Sequence, residues 1–353
     1  MSLLDKTLKS IQPLNRLTME QARLRQDSLT KPRGSLGLLE TLSVQIAGIQ
    51  GKPLPAIKHK AIIVMAADHG VATEDISLYP QEVTRQMVYN FLRGNAAINV
   101  LSRQIGARVI VVDMGVIGGF PPTAGLICKM IDFGTRNMRQ EPAMTRSQAI
   151  DCLEAGIEIA ESEISQGLDI LGTGDMGIGN TTAASAIIAA ITGEPVKNIA
   201  GRGTGLNDSQ LSHKIQVIEE ALKHNQPDIN DPIDVLSKVG GFEIGGLAGV
   251  MMAGAAHRIP VVVDGFVSSS AALIATKLCP TVKDYLIAAH LSAEKGHPVY
   301  LNHMKTKPLF DFSMRLGEGT GAALGIFIVE SAVNLLVNMS TFEEAGVSDI
   351  KHV

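Results

Sequence analysis

The sequence predicts an α/β fold: a parallel sheet flanked by helices, with a small helical domain formed from both chain ends. Three observations carry this. Short continuous apolar runs recur along the middle of the chain, helical patterns separate them, and both ends read as helix without strands. Continuous apolar runs of this length suit strands buried on both faces. Strand–helix alternation then implies a parallel sheet with right-handed crossovers.

The elements follow in order. Met19 to Leu29 is polar-amphipathic and stops at the turn Lys31-Pro32-Arg33-Gly34. Ser35 is expected to cap a second helix, with Leu36, Leu39, Leu42, Ile46 and Ile49 at helical spacing and Gly51 ending it. The apolar run 61–67 ends in Asp68-His69-Gly70, and runs of the same form follow at 108–113, 168–171, 260–264 and 285–289. Helices are expected between them over 94–104, 145–166, 181–191, 209–224, 243–257 and 268–277. Thr145-Arg146-Ser147-Gln148 reads as a capping box and Gly167 as a C-terminal stop. Residues 321–338 form a last apolar helix. On this pattern 1–60 and 322–353 make the small helical domain, and 61–321 the large α/β domain that carries the site.

Composition narrows the function classes. The 353 residues are 45% apolar, ample for a large core. Net charge is −4, from 31 basic and 35 acidic residues, with no basic excess for nucleic acid or an anionic membrane. Aromatics are only 4% and Trp is absent, which argues against a base-stacking platform. Cys128, Cys152 and Cys279 are odd in number and far apart, so neither a disulfide framework nor a zinc site is expected. The N-terminus has no long apolar segment and no apolar stretch approaches ~20 residues. The expectation is a soluble cytoplasmic protein. The nine histidines show no HExxH spacing and there is no GxSxG elbow. No metal or cofactor is expected.

Glycine is enriched, at 35 residues, and sixteen of them fall in five segments: 172–180, 201–205, 240–249, 264–265 and 315–321. The first follows an apolar strand and precedes Thr181-Thr182 and a helix. Backbone without side chains, next to a helix N-terminus, suits a phosphate or carboxylate; a tight strand–helix turn is the plainer reading. Gly172, Gly174 and Gly177 also satisfy GxGxxG, but the acidic residue near the required distance, Glu194, sits in a helix-end turn, which weakens a dinucleotide reading. Asp264, at a strand's carboxyl end, suits ribose hydroxyls or a helix cap. Glu318, between Gly317 and Gly319, suits either a general base, its pKa raised by apolar neighbours, or a carboxylate facing a helix dipole.

The motifs GTGDMGIGNTT (172–182), GRGTGL (201–206), DVLSKVGGFEIGGLAGVMMAG (234–254), DGFVSSSAAL (264–273), HLSAEKGH (290–297) and RLGEGTGAAL (315–324), with KPRGSLGLLE (31–40) and MAADHGV (65–71), together resemble the nicotinate-nucleotide:dimethylbenzimidazole phosphoribosyltransferase family. The likeness spans nearly the whole chain. It implies a Rossmann-like large domain, a small helical domain, a homodimer, and no catalytic metal. It implies transfer of the 5-phosphoribosyl group from nicotinate mononucleotide to 5,6-dimethylbenzimidazole, giving α-ribazole 5′-phosphate and nicotinate for the lower ligand of cobalamin.

By the same resemblance Glu318 is the general base. Gly174, Asp175, Met176, Gly177, Gly179, Asn180, Thr181, Gly203, Asp264 and Gly265 hold phosphate and ribose. Lys214 supplies positive charge to phosphate, against the plainer reading of a solvated helix lysine. Tyr79, Pro80, Gln86, Met87 and Leu316 line the benzimidazole pocket, where the apolar ones read equally as core. The chain departs from the family at Asp175, where Glu is frequent; the shorter side chain leaves its role open. Two other readings stand beside this one: an NAD-dependent oxidoreductase resting on Gly172, Gly174 and Gly177, and a nucleotide-binding sensor without turnover.

Overall fold

The structure is a computed structural model and describes residues 1–348. Six strands form one all-parallel sheet in the order β3-β2-β1-β4-β5-β6. They are β1 (Lys60–Ala67), β2 (Ala107–Gly115), β3 (Leu126–Cys128), β4 (Ile170–Met176), β5 (Val261–Val263) and β6 (Leu286–Ala288). The chain works outward from β1 in one direction and from β4 in the other. Their connections therefore part above the adjacent carboxyl ends of β1 and β4, and a crevice opens there, where parallel sheets bind ligands.

Helices α1 (Leu3–Ser10), α2 (Arg16–Ser28) and α3 (Leu38–Gln50) precede the sheet. Between β1 and β2 lie α4 (Glu82–Leu92) and α5 (Ala97–Gln104); α6 (Arg146–Ser165) leads into β4. The chain passes from β4 to β5 through α7 (Asn180–Thr192), α8 (Val196–Ile199), α9 (Asp208–Asn225), α10 (Pro232–Val239) and α11 (Phe242–Ala256). Then come α12 (Phe266–Leu278), α13 (His297–Met304), α14 (Thr320–Asn338) and α15 (Phe342–Ala345). The expected capping box on α6 forms, with Thr145 and Gln148 reciprocally bonded, and Gly167 is left-handed just past its end.

Two expectations change. Ser35 does not cap α3: residues 34–37 form a turn with Gly34 and Gly37 left-handed, because Glu40 draws it in, accepting from Leu36 N at 3.0 Å and pairing with Lys31 at 2.7 Å. The strand expected at 168–171 runs on to Met176, so Gly172 and Gly174 lie inside β4 rather than in a turn. The glycines at 245, 246 and 249 lie inside the buried helix α11, as the helix expected over 243–257 has them. No sequence pattern announced α4, α10, α13 or β3.

Those α11 glycines have a packing reason. α11 crosses α6 with backbones almost touching. A Cβ on Gly156 would stand 1.9 Å from Gly246 O, and one on Gly249 would stand 2.1 Å from Leu153 O. The chain ends also meet. Ala22, Val44, Ala47 and Leu336 form an apolar cluster of their own, and Arg25 Nε donates to Leu336 O at 2.9 Å. α14 starts beside the strand ends, lays Ala322 and Ile326 on Gly172, and ends in this cluster. It is long and apolar enough to span a membrane, yet over half of it is buried in the protein.

Gly156→Ala is expected to destabilise the protein by about 1–3 kcal/mol or more, since neither backbone can yield without unpacking the helix pair. Thermal unfolding should show the loss as a lower Tm; an unchanged Tm would contradict the close crossing.

Candidate active site

A cleft of about 730 Å³ opens at the carboxyl ends of the strands. Its walls come from three segments. The end of β4, the turn after it and the start of α7 supply Asp175, Met176, Gly177, Gly179, Asn180 and Thr181; the stretch into α4 supplies Tyr79, Val83 and Met87; the loop before α14 supplies Arg315, Leu316 and Glu318. Gly203 and Gly265 complete the expected residues that line it. Tyr79 and Leu316 are 56% and 58% exposed, which removes them from the core and leaves two apolar surfaces facing the opening.

Five expected site residues sit elsewhere. Gly174 is in β4 with Glu318 O only 2.5 Å from where its Cβ would be, so it makes room for the Glu318 turn and does not line the cleft. Pro80 and Gln86 do not line it either. Lys214 and Asp264 lie buried behind the walls.

Asp264 is corrected from a ribose ligand to a clamp. Its Oδ2 accepts from Gly319 N at 3.2 Å and its Oδ1 from Ala322 N at 2.9 Å. It thus caps α14, not the helix that follows it in sequence. Burial raises its carboxyl to about 7, against the pull of these N–H groups. The clamp shapes the turn that carries Glu318. Gly317, Glu318 and Gly319 have φ of +83°, +62° and +93°. A left-handed non-glycine residue is costly and persists only where the surroundings hold it.

The result is a carboxylate at the crevice, only 6% exposed, whose Oε2 accepts no hydrogen bond from the described residues. Burial raises its pKa, partly offset by the N–H of Ile98 at the start of α5. Both features suit a group that takes a proton.

On the other side, Lys214 reaches out of α9. It is 1% exposed, and its Nζ donates to Thr181 Oγ1 at 2.8 Å. Burial lowers its pKa to about 8, with Glu294 holding it up. The solvated-helix reading of Lys214 fails on this burial. Asp175 accepts from Asn180 Nδ2 at 3.0 Å, and burial pushes it well above the usual carboxylate range, with Asp264, Glu243 and Glu318 adding to the shift.

Three residues outside the expected set, His290, Ser292 and Glu294, also line the cleft. They lie together in HLSAEKGH, a polar run directly after an inferred strand end, and that position was the available signal. Arg315 also lines the cleft and donates to Gly203 O at 2.5 Å, joining the Glu318 loop to the 201–205 loop. His297 lies behind: its Nδ1 accepts from Ser292 N at 2.9 Å, and burial lowers it to about 3, so it is neutral. The dinucleotide reading loses its footing, because two of its three glycines are strand residues and Glu194 is exposed past the end of α7.

A parallel sheet with this strand order, an anion-suited helix start at the switch point and a buried lysine behind it suit a phosphoribosyltransferase, and that family matches residues 11–347. The chain is 58% identical over 348 residues to the nicotinate-nucleotide–dimethylbenzimidazole phosphoribosyltransferase of Roseiflexus sp. (strain RS-1), covering 99% of each. It is 56% identical over 352 residues to that of Desulforudis audaxviator (strain MP104C), covering 100% of both. The solved structure of CobT from Thermus thermophilus matches with TM-score 0.91 at 45% identity, over 95% of this chain and 100% of that one. The chain belongs to the nicotinate-nucleotide–dimethylbenzimidazole phosphoribosyltransferase family and is an enzyme of the phosphoribosyltransferase class.

Asp264→Ala is expected to leave two buried N–H groups without acceptors, at about 1–3 kcal/mol each. The variant should lose turnover together with thermal stability, because the Glu318 turn loses its clamp. Full activity in the folded variant would separate Asp264 from that turn.

Proposed function

We propose that this enzyme transfers the 5-phosphoribosyl group of nicotinate mononucleotide to 5,6-dimethylbenzimidazole, giving α-ribazole 5′-phosphate and nicotinate for cobalamin assembly. The names of its relatives support the substrates. The observation that carries the chemistry is Glu318: a buried carboxylate with one free oxygen in the wall of the cleft. One benzimidazole nitrogen attacks the anomeric carbon while Glu318 accepts the proton of the other, and the carbon–nitrogen bond to nicotinate breaks. Attack opposite the leaving ring inverts β to α.

The charges of the cleft suit both ends of this donor. Asp175, Asp264 and Glu318 form an acidic surrounding, close enough that the other two raise the Asp175 carboxyl. Such a surrounding favours a cationic ring and a sugar gaining positive charge. Lys214 and the start of α7 suit the phosphate. Tyr79, Met87 and Leu316 suit a flat apolar base. Asp175 is held by Asn180, and we assign it to orienting the nucleotide loop.

The division into a small domain (1–60 with 322–353) and a large one (61–321) belongs to the same reading, supported by the separate apolar cluster of Ala22, Val44, Ala47 and Leu336. Residues 349–353 of that assignment lie outside the described residues. A homodimer is part of it too, supported by exposed Val100 on α5 and Phe327 on α14.

Purified protein supplied with both substrates should release nicotinate and α-ribazole phosphate, and Glu318→Gln should lower turnover by about 100-fold or more, within the usual range for a general base. Donor binding without turnover would favour the sensor reading. The pH profile should be bell-shaped. The base works only when deprotonated, so kcat/KM rises with pH through a value above the ordinary 4.5 of a glutamate. Lys214 works only when protonated, so activity falls as pH passes about 8. Lys214→Met should remove the alkaline limb and raise the donor's KM; an unchanged limb would free Lys214 of the role.

A further inference from the structure

Beneath the cleft, at the end of β1, lies a group of buried polar residues that the reaction does not use. Asp68 and His69 are each 1% exposed, and Thr84 and Glu243 are fully buried. None of them lines the cleft. A fully buried ion pair is a poor device for stability alone, since desolvation offsets its attraction. The connections these residues make explain them better.

Thr84 belongs to α4, next to Val83 and three residues before Met87, both in the apolar wall. Its Oγ1 accepts from Ile178 N at 3.1 Å, and Ile178 lies in the middle of the nucleotide loop. The nearby Thr84 side chain offsets part of the rise that burial gives the Asp68 carboxyl, and Asp68 Oδ2 accepts from Ile117 N at 2.8 Å. One threonine hydroxyl thus joins the two walls.

His69 repeats the arrangement one residue on. Its carbonyl accepts from Gln81 Nε2 at 3.3 Å, just before α4. Its Nε2 lies 2.8 Å from Glu243 Oε1, at the start of α11. The glycines of the nucleotide loop sit on it. A Cβ at Gly177 would stand 3.4 Å from the ring, and one at Gly179 would stand 3.2 Å from His69 Cβ. Burial opposes the charge on this imidazole, but Glu243 and Asp68 raise its pKa above the ordinary value.

We propose that Asp68, Thr84 and the His69–Glu243 pair are positioning residues that fix the acceptor-base wall of the cleft relative to its nucleotide wall. The inference rests on the proposed transfer reaction and deepens it. Two bound substrates must meet in line, and a misplacement of about 1 Å can cost about 100-fold in rate. A link of this kind acts on their mutual placement more than on the binding of either alone.

Thr84→Val keeps the shape and removes the acceptor for Ile178 N–H. Expected are a kcat for transfer lowered by about 10- to 100-fold and dissociation constants for nicotinate mononucleotide and for dimethylbenzimidazole, each measured alone, within about 2-fold of wild type. Thr84→Ser should restore kcat. The proposal is overturned if Thr84→Val keeps kcat, whether or not one KM rises, or if Thr84→Ser is as impaired as Thr84→Val. If Thr84→Val does not fold, Glu243→Gln takes its place with the same readouts. Failure of both to fold would assign these residues to stability and also overturn the proposal. A wild-type enzyme that performs no transfer would instead overturn the assigned reaction.

Discussion

Two backbone N–H groups at the start of α14 end on the carboxylate of Asp264. Most of the site depends on that clamp. It brings a helix start from the last part of the chain against the end of β5, and so bends the preceding residues into three successive left-handed conformations. Two are glycines. The third is Glu318, whose side chain is thereby directed into the crevice instead of toward solvent. β4 accommodates the bend only because Gly174 has no side chain where the Glu318 carbonyl passes.

The same clamp concentrates charge. Parallel strands end together at one edge, and several end here in carboxylates: Asp68 after β1, Asp175 within β4 and Asp264 after β5. Glu318 and Glu243 arrive from elsewhere. Burial raises the protonation ranges of Asp68, Asp175, Asp264 and Glu318, and nearby charge adds to several of these shifts. Such a cluster is expensive in an apolar core. It is tolerable where hydrogen-bond donors answer its members. Lys214, on the far side and held by Thr181 and Glu294, gives the cleft the opposite sign at one end.

Much of this was legible beforehand. Alternating apolar runs and helical patterns predicted the parallel sheet, and the ordered motifs predicted the family. Among single residues, Glu318, Asp175, Asn180 and Thr181 stood out because unusual backbone or a helix start flanked them. Other residues were legible only in type. Asp264 reads as a carboxylate at a strand end, but its partners lie more than fifty residues away. Pro80 and Gln86 belong to the right segment but stand outside the cleft. Glu294 looked like any glutamate near a lysine, and its burial against Gly201 is not a local property.

By itself the sequence determined the class of fold and the family, because these follow from local periodicity and from motifs whose residues are contiguous. The tertiary structure decided which glycines serve the cleft and which let α6 and α11 touch, which carboxylate is a clamp and which is free, and which segments become its two walls. These are matters of who stands beside whom across long stretches of chain. Orphaned donors, excluded water and backbone contact arise only when the strand ends are brought together.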